Sequence, residues 1–220
     1  MRPSSCDGNL KSKTLAQPVK RFTPQEYYRL EQEAGFKSDY YDGEIFAMAG
    51  GTIAHSLICS NIVREVGNRL KGTSGAIYES NLRLKVEATG LRTYPDAGVY
   101  CGALARDPED PGSQTVTNPT VLFEVLSSST EAYDRGFKSQ NYRKIESLRA
   151  YVLFSQDAPH IEVYERQADG TWVLWEANGL ESTIPVPGIT IQLPLSEIFD
   201  RVEFLPAPST AASERPTALP

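Results

Sequence analysis

The chain has 220 residues and a formal net charge of −6, with 40% hydrophobic and 23% charged residues. At roughly 150 residues per domain, this length favours one domain whose core stands without disulfide or metal staples. The net acidity argues against a generic basic nucleic-acid-coating protein, whose affinity comes from neutralising phosphates. Three cysteines (Cys6, Cys59, Cys101) are too few and too scattered for a disulfide framework or a zinc knuckle, and two histidines (His55, His160) exclude a His-rich metal site. With no secretory signal and no apolar run near the roughly 18 residues that span a membrane, a cytoplasmic, reducing location is expected.

Residues 1–21 are net +4 with little periodicity and read as a flexible basic arm; 22–204 read as one domain. Thr23-Pro24-Gln25-Glu26 is a helix start, with a capping Thr, a first-turn Pro and an acid three residues after the cap, and Gly35 is placed to end that helix. Tyr40 to Phe46 reads as a hairpin around Asp42-Gly43. Between Thr52 and Lys71, Ile53, Leu57, Ile58, Ile62, Val66 and Leu70 recur at helical spacing before Gly72.

Strands follow. Leu82, Leu84 and Val86 alternate with Arg83, Lys85 and Glu87, predicting one buried and one charged face. Tyr94–Cys101 reads as a second strand, and 105–118 as a polar loop. Thr120–Leu126 (TVLFEVL) is nearly all apolar, the pattern of a central strand covered on both faces. A helix is expected over 135–148, then a meander at Tyr151–Phe154, Ile161–Tyr164 and Trp172–Trp175. Pro185, Pro187 and Gly188 break the chain before a short helix over 195–202. Residues 205–220, rich in Pro, Ala, Ser and Thr, lack the large apolar side chains that offset ordering entropy and read as a disordered tail. The order predicts an α/β fold: a mixed sheet flanked by helices.

Glu124 is the most informative residue. A carboxylate inside TVLFEVL is costly unless it is paired, protonated or bound to a cation. Arg83, Lys85 or Arg92 could pair it in a purely structural role. Asp96, after Pro95, offers a second carboxylate on a neighbouring strand, and two such acids make an oxygen-rich pocket suited to Mg²⁺ or Mn²⁺. Such an ion activates a water and clamps phosphate oxygens. Lys138 and Tyr142 lie four residues apart on one side of the next helix, where Lys138 could stabilise charge on a phosphate; Lys85 is a rival. Gly50-Gly51 is no phosphate loop, and Ser127–Thr130 lacks a nucleophile elbow.

Tyr41-Asp42-Gly43-Glu44, Tyr94-Pro95-Asp96, Phe123-Glu124-Val125-Leu126-Ser127 with Ser129-Thr130, and Tyr133-Asp134-Arg135-Gly136-Phe137-Lys138 with Tyr142-Arg143 resemble the Uma-two family of restriction-endonuclease-like proteins, within the PD-(D/E)XK nuclease superfamily. The resemblance covers about residues 22–203. It implies a restriction-endonuclease-like fold, Pro95-Asp96 as the PD element, Glu124 as the second acid, a Mg²⁺ or Mn²⁺ cofactor and DNA as substrate; dimers are common in that superfamily. Leu126 stands where the usual motif has its lysine, so the resemblance moves that role to Lys138, and Lys138-x-x-x-Tyr142 is similar to the Gln-x-x-x-Tyr element of exonuclease branches. Glu44 becomes a candidate third acid and metal ligand, and His55 a phosphate or acid–base contact. The expectation is a DNA endonuclease; the alternative is a catalytically silent nucleic-acid- or protein-binding module on the same fold. Residues 135–149 are again net +4, which places DNA binding on that side.

Overall fold

The computed structural model describes residues 20–48 and 50–204. Of the expected basic arm only Lys20 and Arg21 fall within these, and the expected tail, 205–220, lies outside the described residues.

Helix α1 (Pro24–Glu33) begins as expected. Thr23 Oγ1 accepts from the Glu26 N–H, and the Glu26 carboxylate accepts from the Thr23 N–H. It stops at Ala34, which is already extended, so Gly35 is not its cap. Strands β1 (Ser38–Tyr41) and β2 (Glu44–Ala47) form the expected hairpin, with Asp42 (φ +46°) and Gly43 (φ +80°) supplying the two left-handed positions of a tight turn. Helix α2 (Ile53–Arg69) is capped by Thr52. Thr52 also donates to Gln156 at 2.6 Å, pinning the start of α2 to the end of a central strand.

Two main sheets form. Strands β3 (Gly75–Glu79), β6 (Ala97–Cys101), β8 (Val121–Leu126), β9 (Ala150–Ser155), β10 (His160–Arg166) and β11 (Trp172–Asn178) make a six-stranded sheet in the order β11-β10-β9-β8-β6-β3. Its β8–β9 pair is parallel and its other pairs antiparallel, so the sheet is mixed. Strands β4 (Arg83–Val86), β5 (Leu91–Thr93) and β7 (Thr115–Val116) join the hairpin in a second sheet, ordered β2-β1-β5-β4-β7. The expected strand at Tyr94–Cys101 is shortened to β6: β5, just before it, belongs to the other sheet, and Tyr94-Pro95-Asp96 is the crossing between them. Pro95 lacks the N–H needed to extend β6 further. The expected loop at 105–118 contains β7.

The helix expected over 135–148 is displaced. Helical backbone runs through α3 (Glu131–Tyr133), a π-helical turn (Asp134–Lys138) and α4 (Ser139–Tyr142), and then gives way to turns. Ile145 and Leu148 are buried without being helical, which is why they looked like part of its stripe. The proline-marked break is a hairpin of β12 (Thr183–Val186) and β13 (Ile191–Pro194); a two-stranded ribbon tolerates Pro185 because an edge position needs no N–H. The closing helix α5 is only Leu195–Ile198.

Alternation along β8 decides what its residues meet. Val121, Phe123 and Val125 join α2 and α5 in one apolar cluster. Leu122 and Leu126 join β4, β5, Tyr142 and Tyr151 in another, on the opposite face. Glu124 shares the parity of Leu122 and Leu126, so it faces the π-helical turn and α4.

The charged face expected for β4 does not meet open water. Arg83 is buried and donates to the Tyr94 hydroxyl and to Thr115, beside Asp110 at 3.5 Å. Lys85 and Arg92 pair with Asp107 and Glu109. Asp110 further accepts from the Gly112 and Gln114 N–H groups and the Thr115 hydroxyl. Asp110→Ala leaves Arg83 buried without its anion and is expected to cost about 3 kcal/mol. Urea unfolding checks this: the midpoint falls while the denaturant slope is unchanged.

Candidate metal centre

Asp96 stands at the crossing between sheets, directly before β6. The β6–β8 ladder ends at Ala97 and Phe123, and beyond it a side chain replaces the missing backbone partner. The Val125 N–H donates to Asp96 Oδ2 at 2.7 Å, and the Asp96 N–H makes a long 3.4 Å contact to Glu124 Oε2. Asp96 and Glu124 thus sit side by side at this end of the β6–β8 pair, in contact through the Asp96 backbone.

Glu124 is 2% exposed. Its Oε1 accepts from Lys138 Nζ at 3.0 Å and from the Tyr142 hydroxyl at 2.9 Å. The i, i+4 spacing of Lys138 and Tyr142 brings both donors to one oxygen. Arg83, Lys85 and Arg92 are engaged in the other sheet, so none of them pairs Glu124. Lys138 Nζ is also 3.1 Å from Asp134 Oδ1, and its ammonium lies over the Tyr133 ring.

His55, in the first turn of α2, puts Nε2 3.2 Å from Asp96 Oδ2. Gly51 makes this possible: a Cβ there would stand 2.7 Å from His55 Nδ1. Thr52 holds the turn by accepting from the His55 N–H.

These groups line one cavity of about 360 Å³, between the hairpin, the start of α2 and the π-helical turn. Asp39, Asp96, Glu124 and Asp134 stand on its walls against Lys138 and His55, so acids outnumber cations. Burial pushes the Glu124 carboxyl well above the usual range, and Lys138 opposes this. Burial works against the Lys138 charge too, but Glu124, Asp134 and Asp39 together raise its pKa well above that of an ordinary lysine. Burial would also raise Asp96, yet the His55 hydrogen bond and charge, with Lys138, hold it below the ordinary carboxylate value. The same hydrogen bond raises His55.

Two expected site residues lie elsewhere. Glu44 pairs with Arg21 at 3.6 Å on the hairpin and does not line the cavity. Lys85 is held by Asp107 and Glu109. The hairpin contributes Asp39 instead, buried on β1, accepting from the Tyr133 hydroxyl at 3.0 Å. Asp39 was not singled out from sequence, and Tyr133 and Asp134 stood only in a stretch that carries the family resemblance, with no role assigned, although the i, i+4 spacing of Asp134 and Lys138 was legible. The basic helix also reads differently in space. Lys138 is buried, and Arg135 is paired with Glu131 and Glu162. Exposed Arg143, Lys144 and Arg149 sit toward the start of β9, the opposite end of the sheet from the cavity.

The residues present suit a hard divalent cation. Lys138 and Tyr142 commit one oxygen of Glu124, Val125 and His55 commit one of Asp96, and the second oxygen of each keeps acceptor capacity in a cavity whose carboxyl groups outnumber its cations. Lys138→Met removes the internal cation and is expected to cost about 3–5 kcal/mol of folding stability. Glu124→Gln in the same chain is expected to recover part of that loss in urea unfolding, because it removes one of the stranded charges.

Residues 24–196 match the Uma2 family, whose description is "Putative restriction endonuclease". "Uncharacterized protein slr1290" of Synechocystis sp. (strain ATCC 27184 / PCC 6803 / Kazusa) is 37% identical over 158 residues, 71% of this chain and 80% of the relative. "Uncharacterized protein sll1609" of the same organism is 32% identical over 168 residues, 76% of this chain and 93% of the relative. Among solved structures, the fold is similar to that of "a putative nuclease belonging to DUF820 from Anabaena variabilis ATCC 29413", with a TM-score of 0.61, 17% identity, and coverage of 78% of this chain and 96% of that one. The mixed sheet, its flanking helices and the match over 24–196 together establish that the chain belongs to the Uma2 family, the same Uma-two family its motifs resemble.

Proposed function

We propose that this protein is a metal-dependent endonuclease that hydrolyses phosphodiester bonds in DNA. One observation carries the reading: Asp96 and Glu124 adjoin and both line a single cavity, with Lys138 bonded to the Glu124 carboxylate. Asp96 and Glu124 would hold Mg²⁺ or Mn²⁺. When bound, that ion supplies a water of lowered pKa and neutralises charge on the scissile phosphate.

The chain's own groups prepare the site. Tyr142 and Lys138 fix the Glu124 carboxylate from the helical side. The Val125 N–H and His55 fix Asp96 from the other side. Lys138 keeps a positive charge where water is scarce, and such a charge stabilises a phosphate gaining negative charge more than it would in bulk solvent. His55, on the cavity wall, is placed to contact phosphate or to move a proton.

One site per chain makes one cut at a time, so cleavage of both strands of a duplex takes either two copies, as in a homodimer, or one copy acting twice. Cytoplasmic conditions would keep the free Cys59 and Cys101 thiols reduced. Among the described residues, no helix is long and apolar enough to cross a membrane.

Nicking of supercoiled plasmid tests the reading. The wild-type chain is expected to nick with Mg²⁺ or Mn²⁺ and not with EDTA. Asp96→Asn, Glu124→Gln and Lys138→Met are each expected to lower the rate by about 100-fold or more; the first two retain native circular dichroism, and Lys138→Met, which destabilises the fold, is assayed well below its melting temperature. Equal nicking by wild type and all three variants would sink the assignment. DNA retention on a gel without nicking would favour the silent binding module, the reading to which Leu126 at the usual lysine position points.

A further inference from the structure

We propose that His55, Cys59 and Asp96 form a binding site for a thiophilic divalent cation of the zinc class, overlapping the magnesium site at Asp96. Helix α2 places His55 and Cys59 one turn apart, with Cys59 Sγ 3.6 Å from His55 Nδ1. Asp96 approaches the same imidazole from the sheet, 3.2 Å from Nε2. One donor atom from each of the three lies within 4.8 Å of the other two. Around a tetrahedral zinc ion, with bonds near 2.0 Å to nitrogen and 2.3 Å to sulfur, neighbouring donors stand about 3.5 Å apart. Cys59 and Asp96 meet different ring nitrogens, so the trio closes on one ion by turning the imidazole to present a single nitrogen and by drawing in about 1 Å.

The donor chemistry selects the ion. A carboxylate alone prefers Mg²⁺ or Mn²⁺; a thiolate with an imidazole shifts the preference to Zn²⁺ and Co²⁺. Thiolate and carboxylate together match the charge of a divalent ion beside a neutral imidazole. Burial, with Asp96 and Glu124 nearby, raises the Cys59 thiol, so the metal-free residue is protonated at neutral pH. Binding forms a metal–sulfur bond and releases that one proton to solvent. Three protein donors leave a tetrahedral ion one position, and two of the three, His55 and Asp96, line the cavity. Because Asp96 serves both sites, a zinc-class ion displaces Mg²⁺ and silences the centre. That competition rests on the endonuclease reading; cation binding itself does not.

Cobalt(II) titration tests binding without any cleavage assay. In a Cys6→Ser, Cys101→Ser background, where Cys59 is the sole thiol, Co²⁺ is expected to give near-ultraviolet thiolate-to-cobalt absorption. Cys59→Ser and Cys59→Ala should both abolish it, with thermal melts confirming that each variant folds. His55→Ala should weaken cobalt binding at least tenfold. No thiolate absorption in the background protein, or unchanged affinity in His55→Ala, overturns the site. In plasmid nicking, micromolar Zn²⁺ should suppress the Mg²⁺-supported reaction, and Cys59→Ser should need at least tenfold more Zn²⁺ for the same suppression; equal sensitivity overturns the overlap. Failure of the wild type to nick at all would count against the endonuclease reading and leave the cobalt result to decide the site.

Discussion

The ion pair between Lys138 and Glu124 is the constraint around which this structure is arranged. Glu124 lies in the middle of a strand whose every residue is buried, and an unpaired carboxylate there would not be tolerated. Lys138 is equally buried, and an unpaired ammonium there would be as unfavourable. Each makes the other possible, but the match is incomplete: Asp134 and Asp39 add acid to the same ammonium, so carboxyl groups outnumber cations around the cavity. Such an imbalance is poor design for stability alone. It suits a centre that takes up a cation.

The rest of the fold delivers groups to that pair. The five-stranded sheet contributes Asp39, the six-stranded sheet Glu124, and the crossing between them Asp96. Helix α2 contributes His55, held at its cap by Thr52 and Gln156. A second polar cluster, of buried Arg83, Arg92, Asp107 and Asp110 with partly buried Lys85 and exposed Glu109, has the opposite character. Its cations and carboxylates are closely matched, and Tyr28 and Tyr94 add hydroxyl partners. It binds β4 and β5 to the 107–115 loop and does not line the cavity. The contrast separates a structural ion cluster from a functional one: in the first the acids and bases satisfy each other, in the second carboxyl groups outnumber cations around a cavity.

Sequence pattern exposed the parts of this arrangement that depend on local period. The Thr23 cap, the Asp42-Gly43 turn, the α2 stripe and the apolar β8 run each rest on neighbours within a few residues. Glu124 stood out because its chemistry clashed with its surroundings, and Lys138 and Tyr142 because their spacing gives a shared side. What depended on distant contacts stayed hidden. Arg83 looked like a solvated face because its partner Asp110 is 27 residues away. Glu44 looked like the hairpin's contribution, but its side chain turns to Arg21 while Asp39, across the strand pair, meets the cavity. The π-helical turn carries no period of its own, so the helix was drawn several residues late. The basic segment at 135–149 was real in sequence and divided in space, because its first half is consumed by Glu124, Asp134, Glu131 and Glu162.

The lysine's place on a helix follows from the parity of β8. Residues 124 and 126 face the same side, so a lysine at 126 would approach the Glu124 carboxylate from the face that the π-helical turn and α4 already cover. Leu126 instead packs into the apolar cluster with Tyr142 and Leu153. A second ammonium on that face would stand beside Lys138 in a low-dielectric layer, where like charges repel strongly. Only one cation fits, and the site's chemistry asks for its charge against Glu124, not for a particular position in the chain. A helix packed on the even face of β8 supplies that charge as directly as the strand could. It also couples the position of Lys138 to the π-helical turn that carries Asp134 and Tyr133. Displacing that turn would uncouple the ammonium from Glu124 while leaving both sheets intact, so the integrity of the centre is tied to the packing of the helical segment more closely than to the strand that carries its acid.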